Sequence, residues 1–320
     1  MQRPFRFLLL AVLASLFAAT AAAQQVRYFP LPSGAGPHDV APAPDGTVWY
    51  TAQRAGALGR LDPATGKAEQ IPLGRNSAPH GVIVGPDGAA WVTDGGQNAI
   101  VRVDPKTRAV KLWKLPAENG YTNLNTATFD GRGVHWFTGQ SGIYGRLDPA
   151  TGEMRLFDAP KGRGPYGIAA TPQGTVYFAS LAGSYIARID SQSGAATVLE
   201  PPTPRQGARR VWSDSRGNLF VAEWNAGNIS RYEPASGKWT TWKAPGAAPR
   251  VYAVYVDDSD NVWASEWSAQ VMLRLDPASG KFETFRSSST TANVRQIHGR
   301  KGEVWTPESA ADKIVVYRYK

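Results

Sequence analysis

An aromatic residue placed just after a tight turn returns seven times along this chain, at Trp49, Trp91, Trp136, Tyr177, Phe220, Trp263 and Trp305. The spacings are 42, 45, 41, 43, 43 and 42 residues. A fixed period of this size means that one supersecondary unit is copied, and that the copies bury a shared core. The second copy shows the unit in full. It runs from Pro79-His80-Gly81-Val82 through a turn at Pro86-Asp87-Gly88 to Trp91-Val92-Thr93-Asp94, then Ile100-Val101-Arg102-Val103-Asp104-Pro105, and ends near Leu115-Pro116. The Asp-Pro that closes the third run recurs at Asp62, Asp104, Asp148 and Asp276, with looser versions at Asp190 and Glu233.

Each copy holds four short runs of β-type residues divided by Gly, Pro, Asp and Ser turns, with no helical periodicity. Four antiparallel strands every 41 to 45 residues predict an all-β fold, a seven-bladed β-propeller of four-stranded blades. The chain carries no caps for a straight solenoid. Its last copy stops after a third strand near Ile314 to Tyr319, and Val26-Arg27-Tyr28-Phe29-Pro30-Leu31-Pro32 resembles the outer strands of other copies. An N-terminal strand that completes blade seven would close the ring and remove the exposed edges.

Arg3 and Arg6 followed by the apolar run Phe7 to Ala19 and by Ala21-Ala22-Ala23 read as a signal peptide over residues 1–23. Residues 24–320 are then one propeller domain, expected as a monomer in the periplasm or outside the cell. No later stretch is long enough to span a membrane. With no cysteine, the domain must stand on its core alone. The formal charge of +9 falls to +7 without Arg3 and Arg6, and the basic residues are scattered singly. That pattern, with export, excludes nucleic acid as the expected partner.

Counting seven residues either side of the first turn in each blade picks out two rings at one mouth of the channel. The first is His38, His80, Asn125, Tyr166, Arg209, Tyr252 and Arg295; the second is Ala52, Asp94, Gly139, Ser180, Glu223, Glu266 and Glu308. Paired members are expected to face one another across the hairpin. Arg209 with Glu223 and Arg295 with Glu308 then read as ordinary cross-strand ion pairs. His80 with Asp94 reads as a carboxylate-oriented base, and His38 on the next blade could share its ligand. Trp224 and Trp267 could wall the site. Asp94, Glu223, Glu266 or Glu308 with Asn125 offer oxygen ligands for magnesium or calcium. No nucleophile elbow or phosphate loop is present, so no organic cofactor is expected. His135, His298 and the repeated tryptophans read as packing residues.

Pro79-His80-Gly81-Val82, Gly59-Arg60-Leu61-Asp62-Pro63, Gly145-Arg146-Leu147-Asp148-Pro149 and Ala222-Glu223-Trp224 resemble the repeats of the virginiamycin B (streptogramin B) lyases, over essentially residues 26–320. The resemblance implies an antibiotic-resistance enzyme that opens a cyclic depsipeptide by elimination at its ester, with magnesium and a histidine base. In register, the family's histidines fall on Tyr252 and Arg295 and its first glutamate on Asn293, while Glu308 matches the second. Two adjacent Pro-His steps occur instead in blades one and two, at His38 and His80, with Asp94 as the later acid. The implied catalytic set is therefore His80, His38, Asp94 and Glu308. Asn125, Tyr166, Arg209, Trp224, Tyr252, Trp267 and Arg295 would contact a small cyclic ester or peptide. Two other functions fit the same ring: a binding propeller without catalysis, taking a peptide, sugar or protein, and a metal-dependent lactonase.

Overall fold

A computed structural model describes residues 25–319, so the expected signal peptide lies outside the described residues. Seven four-stranded antiparallel sheets are arranged as blades, spanning residues 37–72, 79–114, 124–158, 165–199, 208–243 and 251–286, with the seventh built from both ends of the chain. Gln25–Pro30 pairs along its whole length with Lys313–Arg318, from Gln25 opposite Arg318 to Pro30 opposite Lys313. The ring is closed as the sequence predicts. Phe29 is buried and stacks on Trp305 at 5.7 Å, which ties the added strand to the core as well as to the ladder.

The repeated motifs have local causes. Trp49, Trp91, Trp136, Trp263 and Trp305 are all within 1% of complete burial, between sheets. Arginines of the third strands lie over several of these rings, Arg60 over Trp49 at 5.2 Å and Arg274 over Trp263 at 5.7 Å. Gly59 precedes Arg60 because the Tyr50 ring fills its place: an added Cβ would sit 1.9 Å from Tyr50 Cζ. The Asp of Asp-Pro caps the next turn, as where Asp62 accepts from the Ala64 N–H and the Thr65 hydroxyl.

The inner strands hold the feature that positions the site. In blades one to six the register slips by one residue near the start of this strand, and at Pro37/Val40 and Pro79/Gly81 the slip is a β-bulge. The hydroxyl of the opposing strand fills the gap. Thr51 accepts the Asp39 N–H at 2.9 Å and donates to the His80 carbonyl of the next blade at 2.9 Å. Thr93 does the same for Gly81 and Asn125, and Thr138 for Thr126 and Tyr166. In these three blades the bulge is thereby satisfied and the blade latched to its neighbour, while blades four and five carry Ala179 and Ala222 at the same place. Among the described residues no helix is long and apolar enough to cross a membrane.

Starting the chain at Pro32 instead of Gln24 removes Phe29, Leu31 and a full strand pairing. Equilibrium urea unfolding should show a loss of about 3 kcal/mol or more. An unchanged midpoint would mean that the closing strand carries none of the stability.

Candidate functional site

The first ring converges as expected, and the second turns away from it. The bulge sets Asp94 opposite Pro79 rather than His80, Glu223 opposite Ala208 and Glu266 opposite Val251. Glu308 likewise bridges Val294 rather than Arg295. One inserted residue reverses the face, so these carboxylates serve their own loops. Asp94 accepts from the Ser77 hydroxyl, the Ala78 N–H and the backbone and side chain of Gln97. Glu223 accepts from Asn228 and Ser230, Glu266 from the Arg250, Ser268 and Ala269 N–H groups, and Glu308 from Ser288. The expected His80–Asp94, Arg209–Glu223 and Arg295–Glu308 pairs are not formed. Nor do these acids make an oxygen cage, so they do not fit the magnesium or calcium site that the sequence suggested.

The carboxylate in the mouth is Asp39, which neither of the two rings expected from the sequence includes. Its Oδ1 lies 2.7 Å from His38 Nδ1 and 3.1 Å from an Arg210 Nη, with all three side chains at most 5% exposed. Arg210 reaches across the channel from blade five to Asp39 on blade one. It also donates to the Thr126 hydroxyl at 2.8 Å and the Arg295 carbonyl at 3.3 Å. Thr126 donates to Asn125 Oδ1 at 2.7 Å, which fixes that amide so that its nitrogen donates to His80 Nε2 at 3.2 Å. The His38 and His80 rings are 3.8 Å apart. Arg210, the other residue missed, follows Arg209 in the same strand.

These contacts set the protonation states. Burial first, then the Arg210, Arg295 and Arg209 cations, hold His38 well below its ordinary pKa. Burial and neighbouring His38 do the same to His80. Both rings are neutral at neutral pH. His38 then donates from Nδ1 to Asp39 and leaves Nε2 as a free lone pair, the arrangement of an oriented base. His38 lines a cavity of about 150 Å³ with Gly36, Arg54, Asn293 and Arg295. His80 presents Nδ1–H, which has no partner among the described residues. His38, Asp39 and His80 bring three ligand-type atoms within 4.8 Å of one another, yet Asp39 is already engaged by a guanidinium. A dication there would meet that fixed positive charge, and the imidazole-rich set does not suit magnesium.

The rest of the mouth is aromatic and basic. Tyr166 and Tyr252 share a hydroxyl–hydroxyl bond of 2.7 Å, and Arg209 donates to Tyr166 Oη at 2.8 Å. Trp267 stacks on Tyr252 at 4.9 Å, and Trp224 meets both rings edge-on. The roomier concavity, about 660 Å³, opens at the opposite mouth among Pro42, Phe129, Ile168 and Trp212, with His298 its one titratable lining residue. Chemistry therefore favours the narrower mouth.

A closed seven-bladed propeller with a polar, histidine-bearing mouth is thus the class that fold and site define. The chain belongs to the virginiamycin B lyase family, whose sequence profile matches residues 11–245. That match ends before Tyr252 and Arg295. Among solved structures, the virginiamycin B lyase from Staphylococcus aureus is 23% identical with a TM-score of 0.85, over 93% of this chain and 100% of that one. A catalytically inactive variant of that lyase, solved with quinupristin, aligns equally well. A streptogramin B lyase is 22% identical with a TM-score of 0.84, over 93% of this chain and 98% of that one. At such identities the likeness shows the shared fold. No curated protein matches the chain in sequence.

Two tests follow from the buried charges. Arg210→Met strands the Asp39 carboxylate and should cost about 3–5 kcal/mol in urea unfolding. Adding Asp39→Asn should restore a large part of it, and strictly additive losses would show the pair to be uncoupled. The second test is pH. All four histidines sit below their ordinary value because of burial, His135 pushed down to about 3. Unfolded, each takes a proton near pH 6.5, while the folded chain does not, so stability rises with pH through this range and is lost as pH falls towards about 5. The raised carboxyls of Asp39 and Glu223 pull the other way, but they are outnumbered. His135→Phe, in a pocket of Trp91, Phe129 and Phe137, should flatten the pH dependence by close to one proton. An unflattened curve would place a proton on His135 in the fold.

Proposed function

We propose that this chain is a carbon–oxygen lyase that opens an ester by elimination at the histidine-bearing mouth, with His38 as the base. The observation that carries this reading is the His38 ring, held at Nδ1 by Asp39 and lining a cavity that it shares with Arg295. In the reaction, His38 Nε2 removes a proton from the carbon next to a carbonyl. The electron pair left behind becomes a carbon–carbon double bond as the bond from the neighbouring carbon to the ester oxygen breaks. The carboxylate departs with that bonding pair. Arg295 and Arg209 offer fixed positive charge where negative charge develops on the carbonyl oxygen and leaving group. Asp39 is the positioning residue, and Arg210 holds it. Family membership supports the reaction class, and the depsipeptide ring of the streptogramin B type is the first substrate to try. The signal peptide expected over residues 1–23 would make it an exported enzyme.

A second reading, a binding propeller without turnover, is favoured by the aromatic and arginine lining of blades four to seven. Ring opening of a streptogramin B ester, followed by chromatography, separates the two. His38→Gln should abolish turnover, since a general base contributes about 10²–10⁴-fold, and Asp39→Asn should lower it less. Because burial depresses the His38 pKa, the acid limb of kcat/KM should fall well below pH 6.5 and shift in Asp39→Asn. Full activity in His38→Gln would overturn His38 as base, and a parent that opens no such ester would leave the binding reading.

A further inference from the structure

Arg60, Arg102, Arg274 and Arg300 each lie within 2.7 Å of a carboxylate oxygen. The arginines of the mouth differ from these four. Arg209, Arg250 and Arg295 have no ion-pair partner among the described residues, and the acids that the repeat places nearby are occupied by their own loops. The three guanidiniums converge on one set of rings. Arg209 lies 3.6 Å from the Tyr252 centroid, 4.4 Å from Tyr166 and 4.7 Å from Trp224. Arg295 lies 5.1 Å from Trp267 and 6.0 Å from Tyr252, and Arg250 lies 5.2 Å from Trp224. Arg209 Nε is buried without an acceptor. Cation–π contact orients these groups; Arg209 gives one N–H to Tyr166 Oη at 2.8 Å and Arg295 one to Tyr252 Oη at 3.5 Å, and neither fork meets a carboxylate.

Three cations against the one Asp39 carboxylate, itself matched to Arg210, form a cluster that repels itself until an anion enters. Planar forks beside flat rings suit a planar anion attached to a flat group better than a tetrahedral one. We propose that this mouth binds a carboxylate carried beside an aromatic ring, with Arg209 and Arg295 as the forks and Tyr252, Trp224 and Trp267 as the floor. The inference takes the mouth of the proposed function as the binding site and names its ligand class, but it needs no turnover. It makes a neutral cyclic ester a poorer ligand than one bearing a free acid.

The test uses the full domain and three probes at constant ionic strength: phenylacetate, its neutral isostere phenylacetamide, and phenyl phosphate, each read by calorimetry and by melting temperature. Phenylacetate should bind and raise the melting temperature by mass action, with the amide at least about tenfold weaker. Arg295→Gln and Arg209→Met should each weaken phenylacetate about tenfold or more, and Arg295→Lys should fall between, since it keeps the charge and loses the fork. Arg155→Gln, exposed on an outer strand, should bind as the parent does. Equal affinity for the amide, unchanged phenylacetate binding in folded Arg295→Gln, or tighter binding of phenyl phosphate would each overturn the proposal. Because no arm involves ester opening, an inactive parent that still binds phenylacetate through Arg295 sinks the lyase reading and leaves this one standing.

Discussion

The Asp39–Arg210 pair is the contact on which the mouth depends. It crosses the channel between blades one and five, and through Thr126 and the Arg295 carbonyl the same guanidinium touches blades three and seven. A buried ion pair is weak evidence for stability, because desolvation offsets much of its attraction. Its effect on geometry is firmer. Arg210 opposes the burial that raises the Asp39 carboxyl, and Asp39 Oδ1 lies where it can accept from His38. That bond selects the tautomer, and the chain through Thr126 and Asn125 selects that of His80. Two adjacent imidazoles thereby present different edges: His38 offers a lone pair, and His80 a proton.

The bulge in the inner strand makes this possible. A regular strand would send His38 and Asp39 to opposite faces, one to the channel and one between the sheets. At the bulge both oppose the single residue Thr51, and both reach the mouth. The adjoining positions are small where the channel is crowded: a Cβ on Gly167 would lie 2.6 Å from the Arg210 Cα, and one on Gly81 2.7 Å from the Asn125 carbonyl. Small residues in blades two and four thus let the inner strands of blades three and five approach closely.

The same bulge explains what could and could not be read from the sequence. The period of the aromatics gave the blades, and the orphan runs at the two ends gave the closure, because both depend on pattern and not on register. The first ring was legible because its seven residues are the polar or aromatic ones at the start of otherwise apolar strands. The second ring was misplaced because its assignment assumed unbroken pairing from the turn to the mouth. An inserted residue leaves the apolar run intact and so gives no sign in the alternation. The charge of Asp39 inside an apolar strand, and of Arg210 directly after Arg209, was a usable signal. Each is costly to bury without a partner, and each is the other's partner.

The charge balance of the mouth also bears on how a ligand reaches it. The cavity below the mouth, where Asp39, Arg210 and Gln296 fill the channel, is about 30 Å³, close to the share of one water molecule. Buried Asp39, Arg210 and Gln296 stand between the polar mouth and the apolar concavity on the far side. Inside the mouth, burial keeps the histidines neutral, and the guanidiniums carry the permanent charge of arginine. A neutral base beneath unneutralised cations attracts negative charge without first consuming a proton. In the proposed reaction electrostatic steering and proton transfer would thus fall to different residue types on different blades, and neither would have to be weakened to allow the other.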